Sequence, residues 1–224
     1  VHESVVPLFQ SAQANHITRL TSFDDQAEQL HDIDATDHAL LMYTSGTTGR
    51  PKGVVHTHSS LLAGGWTSAI AHKLTDQDRA LCVLPICHIN GLCVTVMGAL
   101  VSGGTVVMAE KFSTRRFWDQ LATHKATWFS VVPTIISHLL HSDGNPDADS
   151  KARLRFGRSA SSALSPDVQT SFEKRFKLPI IETMGLTETA AQILSNPLPP
   201  GERKIGSPGI AFGNEVRILT PDLS

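Results

Sequence analysis

Hydrophobic residues in this chain fall into short blocks that alternate with longer segments in which apolar positions recur every three or four residues. The blocks predict strands at 38–43, 53–56, 80–84, 105–109, 126–132, 154–157, 179–183 and 215–219. Between them the 3.6-residue period predicts helices. One is capped by Ser59 and runs to Lys73, weakened at Gly64-Gly65; an apolar one covers 91–101. Ser113 opens another, carrying Phe117 and Leu121 at i, i+4 spacing. Pro133 stands in the first turn of the next, whose apolar face is Ile136, Leu139 and Leu140. Polar residues 143–151 read as a surface loop. Ser165-Pro166-Asp167 starts a further helix with a cap, an N1 proline and an acid at the positive helix end. A short helix is expected at 187–194 and a proline-rich loop at 195–209. Strands and helices alternating in this way predict an α/β fold, a largely parallel sheet with helices on both faces.

The 224 residues suffice for one good-sized domain, and the hydrophobic fraction of 41% is that of a globular protein. Residues 1–37, weakly amphipathic and then acidic, read as a surface lead-in to a core at 38–219, with 220–224 a truncated end. The formal charge of −2 argues against a nucleic-acid partner, and no apolar run approaches the ~18 residues of a membrane span. The first residues, Val1-His2-Glu3-Ser4, lack the features of a signal peptide, so a cytoplasmic location is expected. Cys82, Cys87 and Cys93 form no secretory framework. With no C-x-x-C pair beside them, they are expected to be small buried thiols and not zinc ligands.

The chemistry concentrates between the first two strands. Thr44, Ser45, Thr47 and Thr48 supply hydroxyls, Gly46, Gly49 and Gly53 let a backbone present bare N–H groups, and Lys52 adds a mobile charge. Such a loop suits a polyphosphate. Pro51 stands where a Walker loop has the glycine before its lysine, and no G-x-G-x-x-G occurs. A flexible linker would have similar composition, but a linker has no reason to lie between two strand-like runs and end in Pro51-Lys52-Gly53. A second constellation, Met184-Gly185-Leu186-Thr187-Glu188-Thr189, follows the strand at 179–183. There a carboxylate with a neighbouring hydroxyl suits magnesium, although an acid at a helix start is the plainer reading of Glu188 alone.

Residues 43–53 resemble the signature loop of the adenylate-forming enzymes: acyl-CoA synthetases, luciferases and peptide-synthetase adenylation domains. That resemblance implies ATP, magnesium, a carboxylic acid and an acyl-adenylate, with coenzyme A as acceptor. It places Thr44, Ser45, Gly46, Thr47, Thr48, Gly49 and Lys52 on the phosphates, and Ser162, Thr183, Met184, Gly185, Leu186 and Thr187 around the nucleotide. Thr187, Glu188 and Lys52 carry the catalytic roles, with Glu188 on the metal. Met184 replaces an aromatic that usually lies against the adenine. His88, in Pro85-x-x-His88-x-x-Gly91, and Ser161, in the small-residue turn 158–164, border the acid.

From 111 to 135, and again at 195–201, the chain looks most like the oxalate–CoA ligase branch. Ala191 stands where that branch has a second histidine, which leaves the far carboxylate of oxalate without a donor. A small monoacid or a longer acid is therefore expected in its place. The ribose-binding aspartate motif and the lysine-bearing C-terminal domain have no counterpart here, so the chain reads as part of a large N-terminal domain, inactive alone. The parent activity is expected to be AMP-forming acyl–CoA ligation without nucleic-acid or membrane partners, its oligomeric state open. Rivals are an enzyme loading a carrier protein, a non-catalytic nucleotide-binding module and, more remotely, a phosphotransferase.

Overall fold

The computed structural model describes residues 32–45 and 50–220, with Ala191 by its backbone alone. A two-stranded antiparallel hairpin joins β1 (His38–Thr44) to β2 (Lys52–Thr57). The main sheet comprises β3 (Arg79–Cys82), β4 (Thr105–Met108), β5 (Trp128–Val131), β6 (Phe156–Ser159), β7 (Ile180–Leu186), β8 (Ala191–Ser195) and β9 (Ile210–Ala211), in the order β4-β3-β5-β6-β7-β8-β9. The first five are parallel; β8 and β9 add antiparallel edges. Helices are α1 (His58–Ala71), α2 (Asn90–Met97 in wide π-type turns, continued by Gly98–Val101), α3 (Phe117–Thr123), α4 (Pro133–Leu140), α5 (Ala148–Arg153) and α6 (Pro166–Phe176). The largely parallel α/β architecture expected from the alternating pattern is the one observed.

Register explains why both sheet faces are covered. Leu81 and Phe129 are paired partners, as are Phe129 and Gly157 and then Gly157 and Ile180, so they share one face. That face packs against Phe117 and Leu121 of α3, Ile136 and Leu139 of α4, and Phe172 and Phe176 of α6 in one apolar cluster. Ala80, Trp128 and Phe156 share the other face and pack against Ala99 of α2. The central strands β3, β5 and β6 are therefore buried on two sides, as interior parallel strands require. Further along that second face the apolar rule lapses: Cys82, Ser130 and Arg158 are register partners, all buried. Polar side chains thus collect toward the C-terminal ends of the central strands.

Several local expectations are corrected by tertiary context. The helix expected at 187–194 is a single 3₁₀ turn, Thr187–Thr189, followed by β8. Ala190 sits in the left-handed region at φ 52°, which ends the turn, and the open edge of β7 recruits the next residues as a strand. The loop at 143–151 contains α5, whose start is capped by Asp147 accepting from Ser150 N at 2.7 Å. Thr57, not Ser59, caps α1, its Oγ1 accepting from Ser60 N at 3.2 Å. The strand expected at 215–219 is absent among the described residues; β9 pairs instead with β8 at Ile210–Ala211. Cys82 and Cys93 are buried, whereas Cys87 is exposed.

The glycines that should weaken α1 have a use. A Cβ on Gly64 would lie 2.2 Å from the carbonyl oxygen of Ala190 and 2.6 Å from Cys93 Sγ. Only glycine lets α1 approach the turn after β7 this closely, which outweighs a helix-propensity cost of about 1 kcal/mol.

A second pin holds the proline-rich segment to the sheet. Arg203 forms a two-pronged ion pair with Glu173 of α6, at 2.6 and 3.0 Å, and also donates to the carbonyl of Ile180. Glu173 further accepts from the backbone N–H of Ile180 and from Gln169. Burial alone would raise the carboxyl's pKa, but these donors outweigh it and hold the pKa below its ordinary value of 4.5. A depressed folded-state pKa stabilises the fold above the unfolded value, and that stability is lost as pH falls through the folded value. Glu173→Gln should cost roughly 1.5–3 kcal/mol at neutral pH, the usual worth of charge-assisted bonds. Its deficit relative to the parent should shrink below about pH 4.5, measured by urea unfolding across pH; a deficit constant with pH would refute the assignment.

Candidate active site

Chemistry in such a sheet gathers at the carboxyl ends of the strands. The ends of β1 and β3, the segments after β3, β5 and β6, the end of β7 and the start of β2 together line a cleft of about 770 Å³, a size suited to a nucleotide with a small second substrate. The hairpin brings Thr44, Ser45 and Lys52; the segment after β3 brings Leu84, Pro85, His88, Ile89 and Asn90. Val132 follows β5, Ser161 follows β6, and Gly185, Leu186, Thr187 and Glu188 close the opposite wall. A β-bulge between Met184 and Gly185 breaks the alternation of β7 just where its residues reach the cleft.

The expected residues are therefore largely assembled. Thr44, Ser45, Lys52, His88, Ser161, Gly185, Leu186, Thr187 and Glu188 all line the one cleft. Ser162, Thr183 and Met184 do not: Thr183 is buried, while Ser162 and Met184 are exposed away from the lining. Gly46, Thr47, Thr48 and Gly49 fall outside the described residues, as does the side chain of Ala191.

Lys52 is the single lysine or arginine, and Glu188 the single carboxylate, among the described lining residues. The donor set fits a polyphosphate, with two hydroxyls and a point charge flanking the glycine-rich loop. One carboxylate beside a hydroxyl also fits magnesium, which keeps most of its shell for water and phosphate. Among the described residues no cluster of three or more His, Cys, Asp and Glu side chains forms an all-protein metal cage.

Residues 3–224 match the AMP-binding enzyme family. The chain belongs to that family. It is 48% identical over 218 residues to a sulfoacetate–CoA ligase of Cupriavidus necator, covering 97% of this chain and 42% of the relative. An oxalate–CoA ligase of Saccharomyces cerevisiae is 38% identical over 185 residues, covering 83% of this chain and 34% of the relative. The ATP-bound structure of MatB from Rhodopseudomonas palustris superposes with a TM-score of 0.75 at 32% identity, covering 83% of this chain and 36% of MatB. This AMP-binding chain thus spans less than half the length of the curated relatives it matches.

Two groups of residues that shape this cleft were not foreseen from the sequence. His56, on β2, is buried, and its Nε2 lies 2.7 Å from the carbonyl oxygen of Thr187. A carbonyl can only accept, so Nε2 carries the proton and ties the Thr187–Glu188 turn to the hairpin. The second group centres on Arg158, 1% exposed. Its Nη1 donates to Asn90 Oδ1 at 2.9 Å and to Ser130 Oγ at 3.1 Å, while Nε and Nη2 both reach Gln192 Oε1 at 3.4 Å. Asn90 in turn donates to Ser161 Oγ at 3.3 Å. Burial lowers the Arg158 pKa to about 9, so the guanidinium stays charged at neutral pH. The strand expected at 154–157 stopped one residue short of Arg158, which was read as part of the turn that follows; the structure extends β6 through Ser159 and so buries the arginine, which then demands partners.

His56→Ala would leave the Thr187 carbonyl with only the longer bond from Ala190 N at 3.3 Å, at a cost of about 1 kcal/mol. A drop in unfolding free energy of that size, with faster amide hydrogen exchange in the Thr187–Ala190 turn, is the expected result. Unchanged exchange there would mean that the turn holds its position without the histidine.

Proposed function

We propose that this chain is the nucleotide-binding core of a longer AMP-forming acyl–CoA ligase, which joins a small carboxylic acid to ATP and then passes the acyl group to the thiol of coenzyme A. The observation that carries the reading is the convergence of Lys52, Thr44 and Ser45 with Thr187 and Glu188 across one cleft, with His88 and Ser161 at its other side. Sulfoacetate and oxalate, the acids named for two relatives, mark the substrate class to test first. A reducing cytoplasm suits the free thiols of Cys82, Cys87 and Cys93.

Adenylation needs an in-line approach of the acid's carboxylate to the α-phosphorus and neutralisation of charge on the departing pyrophosphate. Lys52, with Thr44, Ser45 and the glycine-rich loop, orients and offsets the terminal phosphates. Glu188, with Thr187, would hold magnesium, which supplies positive charge to the polyphosphate when bound. His88 and Ser161 orient the acid. No residue is assigned proton transfer, because a carboxylate attacks without losing a proton.

The test is pyrophosphate and AMP release by the full-length protein over a panel of small acids, followed by CoA-thiol consumption. Acid-dependent pyrophosphate with stoichiometric thiol loss is expected; ADP in place of AMP would sink the reading. Lys52→Ala should raise KM for ATP roughly 10- to 100-fold, the worth of one charged hydrogen bond. Steady-state ATP titration at saturating acid measures it, and an unaltered KM would remove Lys52 from the phosphate site.

A further inference from the structure

Arg158 is a full charge taken out of water, a costly act that proteins normally offset with a carboxylate. Arg155 pairs with Asp78 and Arg203 with Glu173. Within the described residues, Arg79, Arg153 and Arg175 bond only neutral oxygens, but each keeps part of its surface in water. Arg158 has neither a carboxylate there nor surface in water. Among the described residues its partners are all neutral oxygens, those of Asn90, Ser130 and Gln192. The surrounding network is rich in donors and poor in acceptors. One acceptor, Gln192 Oε1, is shared by two guanidinium nitrogens at long range, and the Nε2 of Gln192 is buried with no partner among the described residues. Ser161 Oγ accepts from Asn90, which leaves its own hydroxyl hydrogen to donate. A positive, donor-rich and buried cluster without a counter-ion is built around an anion it does not itself contain.

There is also a place for that anion. A side chamber of about 30 Å³ is lined by Arg158, Val94 and Ala160 together with Ile89, Asn90, Ser161 and Gly185, and the last four also line the main cleft. That volume is above the minimum for one water molecule and admits a small polar head but no long apolar tail. Ser161, at the junction, is held in the left-handed region at φ 77°, an unfavourable backbone for serine, which turns it between chamber and cleft.

We propose that Arg158, with Asn90 and Ser161, receives the second anionic group of a small dianionic acid whose reacting carboxylate lies in the main cleft. This rests on the ligase reading and names its substrate class. It also revises the expectation drawn from Ala191: the far charge of a diacid has a compensating partner, supplied from the middle of the sheet and not from position 191. An acid of the same length with a neutral end would leave the guanidinium without its counter-ion and so bind less well. Arg158 is a specificity residue in this scheme and takes no part in bond making.

The experiment compares malonate, sulfoacetate and propionate as substrates of the full-length protein, with Arg158→Met and Arg158→Lys alongside. Malonate and sulfoacetate offer a carboxylate and a sulfonate as the second anion, while propionate has a methyl group there. The parent should favour at least one dianion over propionate by about 100-fold in kcat/KM, an amount in keeping with a buried charged contact, and mainly through KM. Arg158→Met should bring that ratio to within about ten-fold, and Arg158→Lys, which keeps the charge, should fall between. A folded Arg158→Met with the parent's ratio, or a parent that favours propionate, overturns the proposal. If Arg158→Met does not fold, Ser161→Ala and Arg158→Lys decide it: dianion preference untouched in both counts against it. Pyrophosphate release with none of the acids would defeat the ligase reading alone. In that event, titration of ¹³C-malonate followed by NMR still tests the site. Saturable binding weakened in Arg158→Lys and Ser161→Ala supports the proposal, and no binding to the parent ends it.

Discussion

A parallel sheet covered on both faces leaves its strand ends as the place where polar groups can meet a ligand, and this constraint organises the chain. Leu81, Phe129 and Ile180 on one face are committed to α3, α4 and α6, and Ala80, Trp128 and Phe156 on the other are committed to packing with α2. Water is excluded from both. What remains open is the carboxyl edge, where segments after β3, β5, β6 and β7 and the hairpin's loop converge on one cleft. The hairpin stands outside the main sheet, yet it is tied to that edge by the hydrogen bond from His56 to the carbonyl of Thr187. The missing Cβ of Gly64 lets α1 close on the same turn from below its backbone, at Ala190.

The buried polar groups divide by how their charge is handled. His72 is sealed between aromatic rings, and burial with the nearby positive charge of Arg158 drives its pKa to about 3, so it stays neutral and packs as an aromatic. Cys93 lies deep enough for burial to push its pKa up to about 12, making it an inert thiol. Arg158 cannot shed its charge at neutral pH and has no carboxylate among the described residues. These three buried titratable groups thus leave a single net charge, and Arg158, which carries it, lines the side chamber.

The alternation of apolar blocks was enough to order the strands and helices, because a doubly covered sheet needs continuous apolar strands and amphipathic helices in turn. That Thr44, Ser45, Lys52, Thr187 and Glu188 would line one cleft was legible for a different reason. Glycine, hydroxyl and lysine clusters have few structural uses, so their presence between strands points to an anion even without coordinates. Helix starts at Pro133 and Pro166 were readable because proline's fixed φ suits the first turn.

Other features depended on neighbours distant in sequence. Ala191 to Ser195 has no strong preference for helix or strand, and the unpaired edge of β7 made it a strand. The short helix Ala148–Arg153 took its stability from the Asp147 cap and from Arg153 bonding to the carbonyls of Leu121 and Ala126, contacts that periodicity over so few residues does not announce. The roles of His56 and Arg158 belong to the same class. His56 sits near the end of a largely exposed strand and Arg158 just past the strand expected at 154–157, so the sequence did not announce that each would be buried. Which partners each finds, a turn 131 positions away for His56 and only neutral oxygens for Arg158, is settled by packing, because burial makes every polar group's free energy depend on what the fold places beside it.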